Sequence, residues 1–382
     1  MRPSFSAVVP LAISSVQSFA FNRNPTKVGR RSTERFMSNA AAGNYPRPIH
    51  PGGFSLPPLV EDLIPIVTEC KYDNGKDLVI QTNLLLVKPS DMDELWEWYA
   101  YTRHQTKCDP SWGRVWPTAL SMARFIQNSF HSNVVGAHDV DLVNQAIGAL
   151  KSSSHVVELG CGLGVAGLAF ASIVTSLDGK SELAHKRTVT YLDREPFALH
   201  CAMSSAQLAN LQSAPLEVTE ADREADSSNA SLVTVRASMD DWTALNETNK
   251  VDSKPQIKNI GYNDLCLFGS GYRNQDTTIL ASDILYEPHS MKTLAIKIKN
   301  LLNPNIGGFA LISDPEEERT EGCRDNFVSS VKELGGDIAI LPLPVPQGRA
   351  QMMESDIDIN GSLASTVLIV VHFPALKNVA TR

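Results

Sequence analysis

The chain has 382 residues, 43% of them hydrophobic, enough for one large domain or two small ones. Of its 34 basic and 42 acidic side chains, residues 1–40 hold six (Arg2, Arg23, Lys27, Arg30, Arg31, Arg35) and one (Glu34), so the body beyond them has 28 against 41 and a net charge of −13. A body that acidic argues against a protein built to grip a phosphate backbone, whose binding is mostly electrostatic, and suits a basic protein partner or a small substrate.

In chain order, Arg2 is followed by an apolar stretch from Phe5 to Val16, too short and too rich in Ser and Pro to span a membrane. Ser18 and Ala20 put small residues three and one positions before a possible signal-peptidase cut after Ala20. From Phe21 to Ala40 the chain is rich in Arg, Asn, Ser and Thr and nearly free of acid. A signal peptide joined to a transit peptide, with Phe at the junction, resembles the two-part plastid presequence of algae with secondary plastids. The cation-rich composition also fits a mitochondrial leader. Residues 1–40 therefore read as a removable targeting leader, with the plastid as the expected compartment and mitochondrion or cytoplasm as alternatives; no membrane association is expected once it is removed.

Residues 41–111 read as a linker, Pro- and Gly-rich from Asn44 to Pro58, followed by an N-terminal extension. Within it Leu78–Val87 is β-like, and Asp91–Tyr101 carries Leu95, Trp96 and Tyr99 at helical spacing. Trp112-Gly113-Arg114-Val115-Trp116-Pro117 leads into an apolar helix. Strands are then predicted at Val156–Leu159, Thr188–Leu192, Ser231–Ala237, Thr278–Ser282 and Phe309–Ser313, with helices at Val165–Thr175, Pro196–Asn210, His289–Leu302 and Cys323–Leu334. Asp337–Leu341 and Thr366–Phe373 are two last strands with no helix between them. The alternation predicts a doubly wound α/β sheet, mostly parallel, with an antiparallel C-terminal edge. Glu220–Ala230 and Glu247–Gln275 interrupt it as polar surface insertions.

None of the six cysteines (Cys70, Cys108, Cys161, Cys201, Cys266, Cys323) lies in a C-x-x-C pair or at zinc-ligand spacing. They read as buried thiols in a reducing compartment, and no metal is expected.

Glu158-Leu159-Gly160-Cys161-Gly162-Leu163-Gly164 joins the first strand of the alternating region to its first helix. Glycines there permit positive φ and a close ligand approach, and the helix opens with free N–H groups. Gly162 to Gly167 also matches the dinucleotide fingerprint G-x-G-x-x-G, a weak signal alone. Glu158 stands at the strand end, where a carboxylate would repel a pyrophosphate and suit a cationic amino-acid ligand. Asp193 ends the next strand, where a carboxylate can accept both hydroxyls of a ribose.

The loop, Asp193 and the two-strand edge together resemble the seven-strand S-adenosylmethionine methyltransferases. In that family the loop packs against the methionine part of the cofactor and the acid after the second strand binds its ribose. Asp240-Asp241-Trp242 follows the third strand, where the family places an acidic or polar residue near the adenine, often beside a Trp; either Asp fits, and a helix-capping Asp with a packed Trp fits equally. The Trp-Pro entry segment, the run Asp193-Arg194-Glu195-Pro196 and Ser282-Asp283-Ile284-Leu285-Tyr286-Glu287-Pro288 after the fourth strand resemble the family-16 lysine methyltransferase-like group. That resemblance covers roughly Trp112 to Leu334 and makes 112–376 a methyltransferase domain. It implies S-adenosylmethionine as cofactor, held by Trp116, Glu158, Gly160, Gly162, Gly164, Asp193, Arg194, Asp241, Trp242 and Ser282, with Asp283 and Tyr286 at the acceptor.

Methyl transfer from a sulfonium is an in-line displacement that needs an aligned, uncharged nucleophile. A free lysine, with a pKa of about 10.4, arrives protonated. Asp283 is expected to attract and orient that ammonium, and Tyr286 to wall the channel or hydrogen-bond the amine. The expected partner is a protein with a basic surface, and not nucleic acid. A small-molecule N- or O-methyltransferase, a non-catalytic cofactor-binding assembly protein and an oxidoreductase are the alternatives.

Overall fold

The computed structural model describes residues 57–71, 77–102, 110–131, 141–178, 186–209, 211–213, 233–241, 276–344 and 364–376. The leader, Trp242 and both polar insertions lie outside them.

A β-hairpin comes first, β1 (Leu59–Lys71) antiparallel to β2 (Asp77–Pro89). Ile64, Ile66, Leu84 and Leu86 face inward and are buried, while Leu63 and Val79 face out. Four helices follow or intervene on the same side of the molecule: α1 (Met92–Thr102), α2 (Pro117–His131), α3 (Asp141–Ser152) and α4 (Val165–Asp178). Strands β3 (His155–Leu159) and β4 (Arg187–Asp193) flank α4, and α5 (Pro196–Leu208) begins with Pro at its first position and Glu195 capping the Phe197 N–H at 3.1 Å. The two-residue β5 (Gln212–Ser213), β6 (Val233–Met239) and β7 (Thr277–Ser282) come next. Then α6 (Met291–Leu301), β8 (Gly307–Pro315), α7 (Cys323–Glu333), β9 (Asp337–Leu343) and β10 (Thr366–Pro374) complete the described chain.

Seven strands form the sheet in the order β6-β4-β3-β7-β8-β10-β9, with β5 added outside β6. All pairs are parallel except those of β10, which runs antiparallel to both β8 and β9. The expected antiparallel edge is thus one reversed strand set inside a parallel edge strand.

Alternate residues of each strand feed two cores. Val156, Val189, Tyr191, Leu280, Leu311 and Leu368 pack with α2, α3, α4, α5 and the hairpin. Val157, Leu192, Ile279, Ile312 and Ile369 pack with α6 and α7. Every residue of β3 is buried, as expected for a central parallel strand covered on both faces. The hairpin is tied down by polar bonds as well. Gln127 of α2 donates its side-chain amide to Ile66 O, Thr68 Oγ1 and Ile80 O, and the Val87 N–H donates to Ser205 Oγ of α5 at 2.8 Å.

Among the described residues no helix is long and apolar enough to cross a membrane. Cys161, Cys201 and Cys323 are free and buried, as expected; Cys108 and Cys266 fall outside the described residues, and the side chain of Cys70 does too.

Candidate functional site

The chain runs from β3 outward through β4 to β6, then returns to β7 on the other side of β3. Such a reversal opens a crevice at the carboxyl ends of the strands, the usual ligand position in doubly wound sheets. The pocket there is lined by the ends of β3, β4 and β7 and by the entry segment before α2.

The loop after β3 takes its shape from glycines at positive φ: 64° at Gly160, 50° at Gly162 and 73° at Gly164. Gly164 contributes packing and does not line the pocket, because a Cβ there would meet Ala202 Cβ at 2.8 Å and Tyr191 Cε1 at 3.0 Å. Asp193 holds the loop in place. Its Oδ2 accepts the Gly162 N–H at 2.8 Å and its Oδ1 accepts the Glu195 N–H at 2.9 Å. Burial raises the Asp193 pKa against the pull of those N–H groups.

Glu158 points away from bulk solvent and onto the start of α4. Its Oε1 accepts the Ala166 N–H at 3.2 Å and its Oε2 the Gly167 N–H at 2.8 Å. The Glu158 carboxyl therefore already occupies the N–H groups that a helix N-terminus offers to an anion. Gly167 is a glycine because Glu158 is there: a Cβ would lie 2.7 Å from Oε2. The match to the dinucleotide fingerprint reflects this packing. Burial pushes the Glu158 carboxyl up to about 8, opposed by the two N–H groups and reinforced by Asp193.

Asp283 follows β7 with φ 58°, the one described non-glycine residue in the left-handed region. Its N–H donates to Ser313 O of β8 at 2.8 Å, so two strands set its backbone. Strain of this kind persists where the surroundings over-determine a position, often at a functional site. Its Oδ2 is 2.5 Å from Nη2 of Arg319, and its Oδ1 is buried with no partner among the described residues. Burial raises the carboxyl to about 6, with Arg319 pulling it down and Asp314 pushing it up.

Arg319 also lies over the Trp116 ring, 3.9 Å from its centroid, and Arg114 lies 5.2 Å from the same ring. Trp116 is fixed by its Nε1–H to Ser111 O at 3.1 Å. Arg194 reaches Glu287 at 3.5 Å, tying the end of β4 to the segment after β7. Tyr286 lies on the pocket wall, and its backbone oxygen accepts from Thr320 Oγ1 at 2.9 Å.

The pocket thus brings together Trp116, Glu158, Gly160, Gly162, Asp193, Arg194, Ser282, Asp283 and Tyr286. Gly164 stands behind the wall. Asp240 forms an ion pair with Lys297 of α6; Asp241 is exposed, and neither lines the pocket. Sequence reasoning missed Arg114 and Arg319. No group of His, Cys, Asp and Glu among the described residues is arranged to hold a metal ion.

No protein-family model matches the chain, and no curated protein matches it. Solved structures do. An arsenic(III) S-adenosylmethionine methyltransferase from Chlamydomonas reinhardtii is similar at 14% identity, over 63% of this chain and 76% of that one, with a TM-score of 0.30. PKMT2 from Rickettsia typhi, in complex with AdoHcy, is similar at 15% identity over 46% of this chain and 25% of that one, TM-score 0.23. The [4+2]-cyclase SpnF is similar at 13% identity over 59% and 76%, TM-score 0.32. Likenesses this distant fix no chemistry, and the pocket has to be read from its own residues.

Proposed function

We propose that this pocket binds S-adenosylmethionine and that the protein transfers its methyl group to a lysine side chain of a basic protein partner. The observation that carries the cofactor part is the carboxylate of Glu158 seated on the Ala166 and Gly167 N–H groups. A pyrophosphate needs those groups free and finds them already bonded to Glu158. A cofactor bearing an ammonium and a sulfonium finds acids in its place, Glu158 at one strand end and Asp193 at the next. Asp193 retains lone pairs on both oxygens beyond the two N–H groups it accepts, enough for a diol. Gly160 and Gly162 leave the loop backbone open to a ligand, and Trp116 offers a flat apolar wall.

When bound, the cofactor supplies an electrophilic methyl group on sulfur. The chain's own part is to bring an uncharged nitrogen to it. Asp283 offers a buried, unpartnered oxygen to an incoming ammonium. With its pKa near 6, it is too weak to keep a proton taken from an amine of about 10.4: the gap of roughly four units is about 6 kcal/mol uphill. Asp283 therefore orients the amine, and the proton leaves to water as burial lowers the amine's own pKa. Tyr286 walls the same channel.

The acidic body and the Asp283 carboxylate support the lysine acceptor. A small anionic acceptor is a second reading, supported by the cations Arg114 and Arg319 that both lie against the Trp116 ring. The leader reading travels with the proposal: the enzyme would work in a plastid on a plastid protein.

Calorimetry with S-adenosylhomocysteine and with NADH tests the cofactor, and S-adenosylhomocysteine alone is expected to bind; NADH binding without it sinks the reading. Tritiated S-adenosylmethionine, incubated with the protein and an extract and then split by size, tests the acceptor. Label in polypeptide supports lysine methylation; label confined to small molecules transfers the support to the second reading.

A further inference from the structure

We infer that Arg319 occupies the acceptor's cation position in the resting protein and gives it up when a substrate ammonium arrives. The cation is taken to be a lysine on the strength of the reading above; the exchange itself rests on the geometry around Asp283.

The Asp283 side chain is 5% exposed and that of Arg319 is 37% exposed. A carboxylate so buried is costly without a partner. Arg319 supplies one to Oδ2 and leaves Oδ1 buried and without a partner among the described residues, in a residue that lines the pocket. The two partners differ in freedom. The backbone of Asp283 is held in its left-handed conformation by the bond to Ser313, and its short side chain has little reach to follow a retreating guanidinium. Arg319 sits on a long side chain in the loop between β8 and α7.

Arg319 has a place to go. Its guanidinium already lies over Trp116, a contact that survives loss of the ion pair. The loop around it carries Glu316, Glu317, Glu318 and Glu321, which favour a cation whether it is Arg319 moving out or a substrate moving in. Thr320, next to Arg319, donates its hydroxyl to Tyr286 O, and Arg324 holds Asp314 at 2.6 Å, so the exchange needs only a side-chain movement within a held loop.

Charge counting sets the direction. With Arg319 in place the pair is neutral, and an entering ammonium gains little attraction. Once Arg319 lifts, the ammonium inherits a buried carboxylate with both oxygens available. Arg319 thus selects against weak or uncharged acceptors, which cannot displace it.

The test uses the full chain loaded with S-adenosylhomocysteine and Nα-acetyl-lysine methylamide as the probe, with binding read by calorimetry. Arg319→Gln is expected to bind the probe about fivefold more tightly than wild type, the scale of one partly exposed ion pair removed as competitor. Adding Asp283→Asn, a change that the left-handed backbone accepts, is expected to abolish the gain. Arg319→Lys is expected to fall between wild type and Arg319→Gln, and it carries the test if the Gln variant fails to fold. Equal or weaker probe binding in both Arg319 variants overturns the exchange, as does a gain that persists without the Asp283 carboxylate. A gain in binding alongside no labelling of polypeptide by wild type keeps the exchange and overturns lysine methylation. Labelling without any gain does the reverse.

Discussion

Gly167→Ala puts a methyl group into the contact that defines the site. In an ordinary helix interior that change stabilises by about 1 kcal/mol, because alanine has the better propensity. Here the new Cβ would lie 2.7 Å from Glu158 Oε2, 2.7 Å from Tyr191 Cε1 and 3.0 Å from Val189 Cγ1, all buried side chains of the strands beneath α4. Overpacking of that kind costs about 1–3 kcal/mol. Displacing Glu158 also loses the bond from the Gly167 N–H, worth about 0.5–1.5 kcal/mol to a carboxyl that burial keeps largely protonated. Setting these against the propensity gain predicts a net loss of about 0.5–3.5 kcal/mol. Gly148 of α3 is the control. It lies in a helix with nothing within 4 Å of its Cβ position, so Gly148→Ala is expected to stabilise by about 0.5–1 kcal/mol. Urea unfolding of both variants, compared at unchanged m, reads the difference, and calorimetry with S-adenosylhomocysteine reads its effect on binding. A Gly167→Ala protein as stable as wild type, with cofactor affinity intact, would refute the placement of Glu158 on the helix start and the argument against a pyrophosphate with it.

Glu158 also makes stability depend on pH. Its native pKa of about 8 exceeds the ordinary 4.5, so the native state holds a proton that the unfolded chain has lost, and stability falls as pH rises between those values. Asp283, raised to about 6, adds to the fall at lower pH, while His155, lowered from 6.5 to about 4, opposes it there. Between about pH 7 and 8 Glu158 still contributes to the slope, with Asp193 and Asp314 raised in the same direction, and Glu158→Gln is expected to reduce it; an unchanged slope in that variant would assign the titration elsewhere. Tyr99→Phe removes the hydroxyl that accepts the buried Trp112 Nε1–H at 3.0 Å and is expected to cost about 1–3 kcal/mol in the same unfolding assay.

From Val156 onward the sheet was legible because period and glycine punctuation agree with each other. β1 was not. Pro65 and the adjacent acids Glu61 and Asp62 disguise it, and its outward Leu63 breaks the alternation. A two-stranded hairpin tolerates that proline where a central strand would not. The helix α3 did carry a signal, Val143, Ala146, Ile147 and Leu150 at i, i+3, i+4 and i+7. At the site, the positions of Glu158, Asp193 and Asp283 followed from strand ends that the sequence marks. The direction of the Glu158 carboxylate did not, because it depends on how closely α4 settles on the sheet. Arg319 was illegible for a similar reason: its partner is 36 residues away, and one arginine among glutamates resembles any surface cation.

The reversed strand has a consequence for the order in which the molecule can be finished. β10 lies between β8 and β9 in the sheet yet follows both in the chain, and among the described strands β9 has no other neighbour. Until Thr366–Pro374 has left the ribosome, β8 has an open hydrogen-bonding edge and β9 has no sheet to join. The nascent chain carries an incomplete core through that interval, with Leu368, Ile369, Val370 and Val371 still missing from both of its faces. Premature termination before β10 therefore leaves an aggregation-prone edge and not a slightly shorter folded protein.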